Sequence, residues 1–287
     1  MTGEQGADRL TVLGAGVMGI GIATLALGHG LPVLLIDIDE AKLGGARDEV
    51  GRQLRLGQLM GAGAGVPIGE LRTSTSTHDA EDATTVIEAV TENPRLKTEV
   101  LGKVAAVVRP GTPLVSNTSS IPITELARSL DRPEDLVGTH FMNPPYLIRT
   151  VEVIRGARTA EATMDAVTAL LADLGREPVI VRDAPGFVTS RVLHPMINDA
   201  ARVVQEGTAT AADVDALMRG CLGHRTGPLR TADLIGLDNL VDSLRVLHER
   251  TGDDGCLPCE LLLAKVREGH LGRKSGRGFY EYQEAIG

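Results

Sequence analysis

The sequence predicts a doubly wound α/β domain over residues 1–184, followed by an all-α C-terminal domain over residues 185–287. Three observations predict it. A strand, a glycine-rich turn, a helix and a second strand are compressed into about 30 residues near the start. The early strands are continuous apolar runs, as burial on both faces of a parallel sheet requires. Beyond Asp183-Ala184-Pro185-Gly186 the strand patterns stop and only helical periodicities remain. Length agrees, since 287 residues make about two domains at ~150 residues each.

Taken in order, residues 10–13 form the first apolar run and end in Gly14-Ala15-Gly16-Val17-Met18-Gly19. Residues 20–29, rich in Ala and Leu, read as a helix with Gly30 as its stop signal. Residues 32–36 read as the second strand, closed by Asp37. A helix is expected over 41–59, then a break at Gly61-Ala62-Gly63-Ala64-Gly65-Val66-Pro67. Strand 84–89 precedes a helix over 94–108, and strand 113–116 runs into the polar turn Asn117-Thr118-Ser119-Ser120. Strands at 136–141 and 150–154 flank the turn Asn143-Pro144-Pro145, and a helix over 161–174 with a strand over 178–181 completes the sheet. The C-terminal domain is expected to hold helices over 187–206, 211–221, 232–249 and 259–268. No internal repeat or low-complexity tract is evident.

Composition narrows the function classes. The chain has 38 acidic and 29 basic residues, a net charge of −9, which argues against a nucleic-acid partner because phosphate binding needs clustered Lys and Arg. Hydrophobic residues at 43% and charged residues at 23% fit a soluble globular protein with a substantial core. Aromatics are only 2%, with no Trp, so that core is aliphatic. The polar start, with Glu4, Asp8 and Arg9, shows no signal peptide. No apolar run approaches the ~20 residues of a membrane span. Three cysteines are too few for a disulfide framework. A cytoplasmic enzyme is expected.

The glycine motif gains meaning from its setting. It follows a strand, opens a helix and has an acid at the end of the next strand. Gly14 permits the tight turn, Gly16 lets the backbone approach a pyrophosphate, and Gly19 allows close helix–strand packing. Unpaired N–H groups at the helix start, from Val17 onward through Met18, complement phosphate charge. Asp37 can accept hydrogen bonds from the adenosine ribose and repels a 2′-phosphate, so a Rossmann-type domain binding NAD rather than NADP is expected; the alternative is a glycine turn without a ligand.

His140 is the catalytic candidate. It precedes the Pro-rich turn, and Glu152 lies twelve residues on, in the returning strand. A hairpin-like return could set that carboxylate on the imidazole, fix its tautomer and suit it to take a proton from an alcohol. The alternative is a core ion pair. Cys256-Leu257-Pro258-Cys259 has the spacing of a metal or redox pair, but zinc needs four ligands and no second pair lies nearby. Two incidental thiols at a helix start are expected, and the other six histidines read as structural or surface residues.

These residues resemble the L-3-hydroxyacyl-CoA dehydrogenases. The resemblance is carried in order by Gly14 to Gly19 with Asp37, by 86–90 with Glu92 and Lys97, and by Ser116-Asn117-Thr118-Ser119-Ser120. It continues through His140-Phe141-Met142-Asn143-Pro144, Val151-Glu152-Val153-Ile154 and Asp183-Ala184-Pro185-Gly186-Phe187. Gly227-Pro228-Leu229, 233–238 and Gly276-Arg277-Gly278-Phe279-Tyr280 complete it, so it spans essentially the whole chain. The resemblance implies NAD as cofactor, an acyl thioester as substrate, and a homodimer built largely on the helical domain. It further implies His140 as general base, Glu152 as its electrostatic partner and Ser119 beside both substrate and nicotinamide. Glu92, Lys97, Asn143 and Lys274 match positions expected to line the cofactor site.

Three departures bear on the substrate. Ser190 stands where the family has Asn, which alters the donor available to a substrate carbonyl. Asn143-Pro144-Pro145-Tyr146 replaces the usual Asn-Pro-Val-Pro and resembles the branch that oxidises free sugar acids such as gulonate. The segment 57–69, where relatives place Lys and Ser around coenzyme A phosphates, contains no Lys, with only Arg52 and Arg55 just upstream. These departures point toward a 3-hydroxyacyl group on an acyl carrier protein, as used for polyketide extender units, or toward a free hydroxy acid. A non-catalytic NAD-binding relative would be marked by loss of His140 or Glu152, and both are present.

Overall fold

A computed structural model describes residues 9–61 and 65–282. The polar start over residues 1–8 and Ala62, Gly63 and Ala64 of the glycine-rich break lie outside the described residues. The chain divides into two compact units, Met1–Ala184 and Pro185–Gly287.

The first unit runs β1 (Leu10–Leu13), α1 (Val17–Gly28), β2 (Val33–Ile36), α2 (Glu40–Leu59), β3 (Leu71–Ser74), β4 (Thr85–Glu88), α3 (Pro94–Ala105) and β5 (Leu114–Asn117). It continues through α4 (Ile123–Leu126), β6 (Leu136–His140), β7 (Thr150–Arg155), α5 (Glu161–Asp173) and β8 (Glu177–Arg182). Among the described residues, eight strands form one sheet in the order β3-β2-β1-β4-β5-β6-β7-β8. Strand order reverses at β1, between β2 and β4, which creates the crevice where dinucleotide-binding sheets take their ligand. Val12, Ile22, Leu35, Ile87, Val115 and Val137 belong to one buried aliphatic cluster that joins the sheet to α1. Helix starts are fixed by side chains: Asp39 accepts from the amides of Ala41 and Lys42, and Asn93 accepts from Leu96 ahead of Pro94 in the first turn.

The sheet has the expected hairpin-like return between β6 and β7, and one strand that the sequence reading lacks. All pairings are parallel except β6 with β7, which is antiparallel. The edge strand β3 has no counterpart in that reading, because Leu-Arg-Thr-Ser is short, mixed in polarity and only partly buried.

The second unit holds α6 (Thr189–Gln205), α7 (Ala211–Leu222), α8 (Pro228–Ile235), α9 (Leu237–Thr251) and α10 (Glu260–Arg267). Ile197, Leu229, Leu237, Leu240, Leu244 and Leu262 sit at the centre of its core. Asp215 accepts from the amides of Leu229 and Arg230 and from the Tyr280 hydroxyl. Asp233 accepts from the amides of Phe279 and Tyr280 and from the Tyr282 hydroxyl, so two buried carboxylates fasten the closing segment. Cys259 is the N-cap of α10, and burial pushes the thiols of Cys256 and Cys259 above their ordinary value. Among the described residues no helix is long and apolar enough to cross a membrane.

The single helix expected over 232–249 is two helices. Gly236 breaks it at φ 95°, a conformation that L-residues with a Cβ rarely adopt. A Cβ there would lie 3.0 Å from Asp238 Oδ1 and 3.2 Å from Lys274 Nζ. Gly236→Ala is expected to cost about 1–3 kcal/mol, read as a drop of several degrees in melting temperature. An unchanged melting temperature would remove the strain argument.

Candidate active site

Because β1, β2, β4, β5 and β6 are mutually parallel, their C-terminal ends share one edge of the sheet. That edge gathers those residues of the first unit that the sequence singled out. After β1 the chain turns at Gly14, whose φ is 102° and whose Cβ would come 2.7 Å from the Ala89 carbonyl oxygen. A Cβ on Gly19 would lie 1.8 Å from the Gly14 carbonyl oxygen, so α1 can start this close to β1 only with glycine there. Gly16 is the N-cap of α1, and a Cβ on it would meet no protein atom within 4 Å. The first amides of α1, those of Val17 and Met18 among them, have no helical carbonyl to bond. Asp37 follows β2, and its carboxylate accepts from the amides of Ala15 (2.8 Å) and Asp39 (3.0 Å). The carboxylate thus braces the glycine turn from the adjacent strand. A pyrophosphate over Gly16 and a ribose at Asp37 fit this cradle.

The next strand ends are joined by a buried charge network. Lys97, on α3, and Glu88, at the end of β4, have fully buried side chains, with Lys97 Nζ 2.8 Å from Glu88 Oε1. Lys97 also lies 3.3 Å from Glu92 Oε2 and donates to the Asn117 carbonyl at 3.1 Å. Glu88 further accepts from Ser116 Oγ at 2.6 Å. Burial pushes the Glu88 carboxyl up, against the opposing pull of Lys97 and these donors. Glu92 Oε1 accepts from Thr118 Oγ1 (2.6 Å), Ser119 N (2.9 Å), Ser119 Oγ (3.2 Å) and Ser120 N (3.1 Å). The predicted residues Glu92, Lys97 and Ser119 are therefore one assembly. Lys97 reaches it from beneath, tied to carboxylates and carbonyls, while Glu92 keeps a side-chain exposure of 36%.

His140 closes β6 and pairs in register with Glu152 on β7. His140 Nδ1 is 3.0 Å from Glu152 Oε2, with the imidazole 12% and the carboxylate 6% exposed. The hairpin-like return required by the spacing exists, and the antiparallel register puts both side chains on one face of the sheet. Asn117, for which the sequence reading had no role, accepts from the Phe141 amide at 3.1 Å and so pins the residue after His140 to the end of β5. Asp183 is a second missed residue. It accepts from the amides of Ile123 (3.1 Å) and Thr124 (2.7 Å) and caps the short α4. No local signal marks it, because its partners lie about 60 residues away in sequence.

Asn143 is exposed on the turn after β6, whereas Tyr146, from the same departure, is 7% exposed in the aliphatic core. Burial pushes its hydroxyl above the ordinary tyrosine value, with Glu49 adding to the rise. Arg52 lies 2.5 Å from Glu49. In the second unit, Ser190 is in the first turn of α6 and 3% exposed, and Lys274 Nζ is 2.7 Å from Asp238.

Comparison with known proteins adds three findings. The family description "3-hydroxyacyl-CoA dehydrogenase, NAD binding domain" matches residues 9–184, and its C-terminal domain matches residues 186–282. A Bacillus subtilis protein named "Probable 3-hydroxybutyryl-CoA dehydrogenase" is 42% identical over 280 residues, spanning 96% of this chain and 98% of the relative. A Bradyrhizobium diazoefficiens 3-hydroxybutyryl-CoA dehydrogenase is 38% identical over 281 residues, 96% of either chain. The crystal structure of the (S)-3-hydroxybutyryl-CoA dehydrogenase of Ralstonia eutropha superposes with a TM-score of 0.88 at 37% identity, covering 97% of this chain and all of that one.

Glu92 gives this edge a pH signature. Burial would raise its carboxyl, but Lys97 and the donors Thr118 and Ser119 outweigh burial and hold it below its ordinary 4.5. Its contribution to stability is therefore complete above the ordinary value and is lost as pH falls through the lowered one. Glu92→Gln is expected to lie furthest below the wild type in melting temperature above about pH 4.5, with the gap narrowing as pH falls below that value. A gap that stays constant with pH would show that the charge of Glu92 contributes nothing.

Proposed function

The chain belongs to the 3-hydroxyacyl-CoA dehydrogenase family, and on that premise we propose that it interconverts a 3-hydroxyacyl thioester and its 3-oxoacyl thioester with NAD. The observation that carries the reading is the His140–Glu152 pair at 3.0 Å, on the same sheet edge as the dinucleotide cradle. Bound NAD supplies the hydride acceptor. With Nδ1–H donated to Glu152, Nε2 carries the lone pair that takes the proton of the substrate hydroxyl. The buried carboxylate then stabilises the imidazolium that forms. In the reverse direction the imidazolium polarises and protonates the ketone.

The resemblance extends the reading to further residues. Ser119 and Asn143 offer donors beside the nicotinamide and substrate. Glu92, Lys97 and Lys274 support cofactor binding, and Ser190 offers its hydroxyl to the substrate carbonyl. A homodimer is the assembly the same resemblance implies. The thioester carrier is coenzyme A, as the names of the relatives suggest, or an acyl carrier protein. The second is favoured by one observation: segment 57–69 offers no Lys, and Arg52, just upstream, is paired with Glu49. The free hydroxy acid reading rested on Pro145-Tyr146, and the core position of Tyr146 leaves it the weaker alternative.

Purified protein is expected to consume NADH with acetoacetyl-coenzyme A. No turnover, with NADH binding intact, would move the substrate to a carrier-protein thioester or a free hydroxy acid. His140→Ala should lower kcat by about 10²–10⁴ while NADH still binds, and normal turnover by that variant would end the mechanism. NADH is also expected to bind more tightly than NADPH; the opposite order would overturn the role given to Asp37.

A further inference from the structure

The turn between β6 and β7 carries Asn143 and joins His140 to Glu152, so its position sets theirs. It is gripped from two sides by residues the mechanism above does not use. On one side is Arg176, 7% exposed, between α5 and β8. Its Nε donates to the Leu174 carbonyl at 3.0 Å, and its Nη1 donates to the carbonyls of Pro145 at 3.2 Å and Ile148 at 2.9 Å. On the other side, the Pro145 ring lies against Gly21 of α1. A Cβ on Gly21 would come 2.7 Å from Pro145 Cδ and 3.1 Å from Cγ.

A buried guanidinium is costly in water-free surroundings unless its donors are matched. Here the carbonyls come from two chain segments about 30 residues apart in sequence. The neighbouring carboxylate, Glu177, lies 3.6 Å from Arg149. A planar fork can serve carbonyls in fixed directions at once, which a Lys ammonium on a flexible stem cannot reproduce. The opposite wall is equally specific, because the proline ring and the missing Cβ of Gly21 fill one space.

We propose that Arg176 and the Gly21–Pro145 contact form a clamp that positions the catalytic turn against the dinucleotide-binding helix α1. Arg176 is thereby a positioning residue for the reaction. The clamp rests on the reading in which His140 and Glu152 move the proton. It acts by holding Asn143 and His140 at a fixed distance from whatever α1 binds. Misplacement of reacting groups by about 1 Å costs up to ~100-fold in rate, so loosening the turn is expected to appear in kcat before it appears in cofactor affinity.

The test compares R176M, R176K, G21A, P145A and G21A/P145A with the wild type, using NADH and acetoacetyl-coenzyme A. R176M is expected to lower kcat about tenfold or more, to leave NADH affinity within about twofold, and to be partly rescued in R176K. G21A should lower kcat similarly by pushing on Pro145, and P145A in the same chain should restore most of it. A lower melting temperature with wild-type kcat in R176M, or additive effects of G21A and P145A, would overturn the clamp. If R176M does not fold, the G21A/P145A cycle decides alone. Emission of bound NADH gives a readout that needs no turnover: a shift in R176M and G21A supports the clamp, and an unchanged spectrum overturns it. His140→Ala separates the two readings. An inactive His140→Ala beside fully active R176M and G21A removes the clamp alone, whereas an active His140→Ala removes the mechanism itself.

Discussion

One reversal in an otherwise parallel sheet sets the imidazole of His140 against the carboxylate of Glu152. Parallel strands send their C-terminal ends to a single edge, and a strand paired antiparallel to the last of them begins at that same edge. β7 does this, and its register sets Glu152 opposite His140. A parallel crossover would have carried the chain to the far edge before returning and separated the imidazole from its carboxylate. The pairing of these two side chains therefore follows from topology before any side-chain preference acts, and the fold and the proposed mechanism share one cause.

Around that edge, charge is buried in order to fasten loops together. Lys97 alone touches Glu88 from β4, Glu92 from the following loop and the Asn117 carbonyl from β5. Replacing such a network by apolar side chains would cost little or nothing in stability, whereas removing one partner alone is expensive, about 3–5 kcal/mol. What the network secures is geometry: Glu92 collects the donors of 118–120, and Asn117 passes the constraint on to Phe141, next to His140. The polar turn and the end of β6 are thus held by adjoining hydrogen bonds rather than by independent loops. Preorganised donors and acceptors of this kind need no rearrangement during reaction.

The substrate departures separate once their surroundings are known. Pro145 and Tyr146 belong to packing: the proline fills the space above Gly21 and the tyrosine joins the aliphatic core. Ser190 lies buried in the first turn of α6. The cationic side chains near segment 57–69 are few, and Arg52 already has a carboxylate partner. Sequence differences of similar appearance therefore carry different meanings, and burial is what tells them apart.

By itself the sequence determined the dinucleotide cradle, the strand that follows it and the change to helices after residue 184. Each rests on local rules: glycines where a Cβ has no room, a carboxylate at a strand end, and hydrophobic periods of two kinds. It also contained the His140 and Glu152 spacing, because a short hairpin keeps sequence distance and spatial distance nearly equal. Contacts between distant segments had no such signal. β3 is too short and mixed to stand out, and Gly236 breaks a helix whose periodicity continues on both sides. Asp183 at α4, Asn117 at the Phe141 amide and Arg176 at the Pro145 carbonyl all find their partners more than 20 residues away. Polar residues of these types are compatible with many partners, and only the packed sheet decides which carbonyl or amide comes within reach.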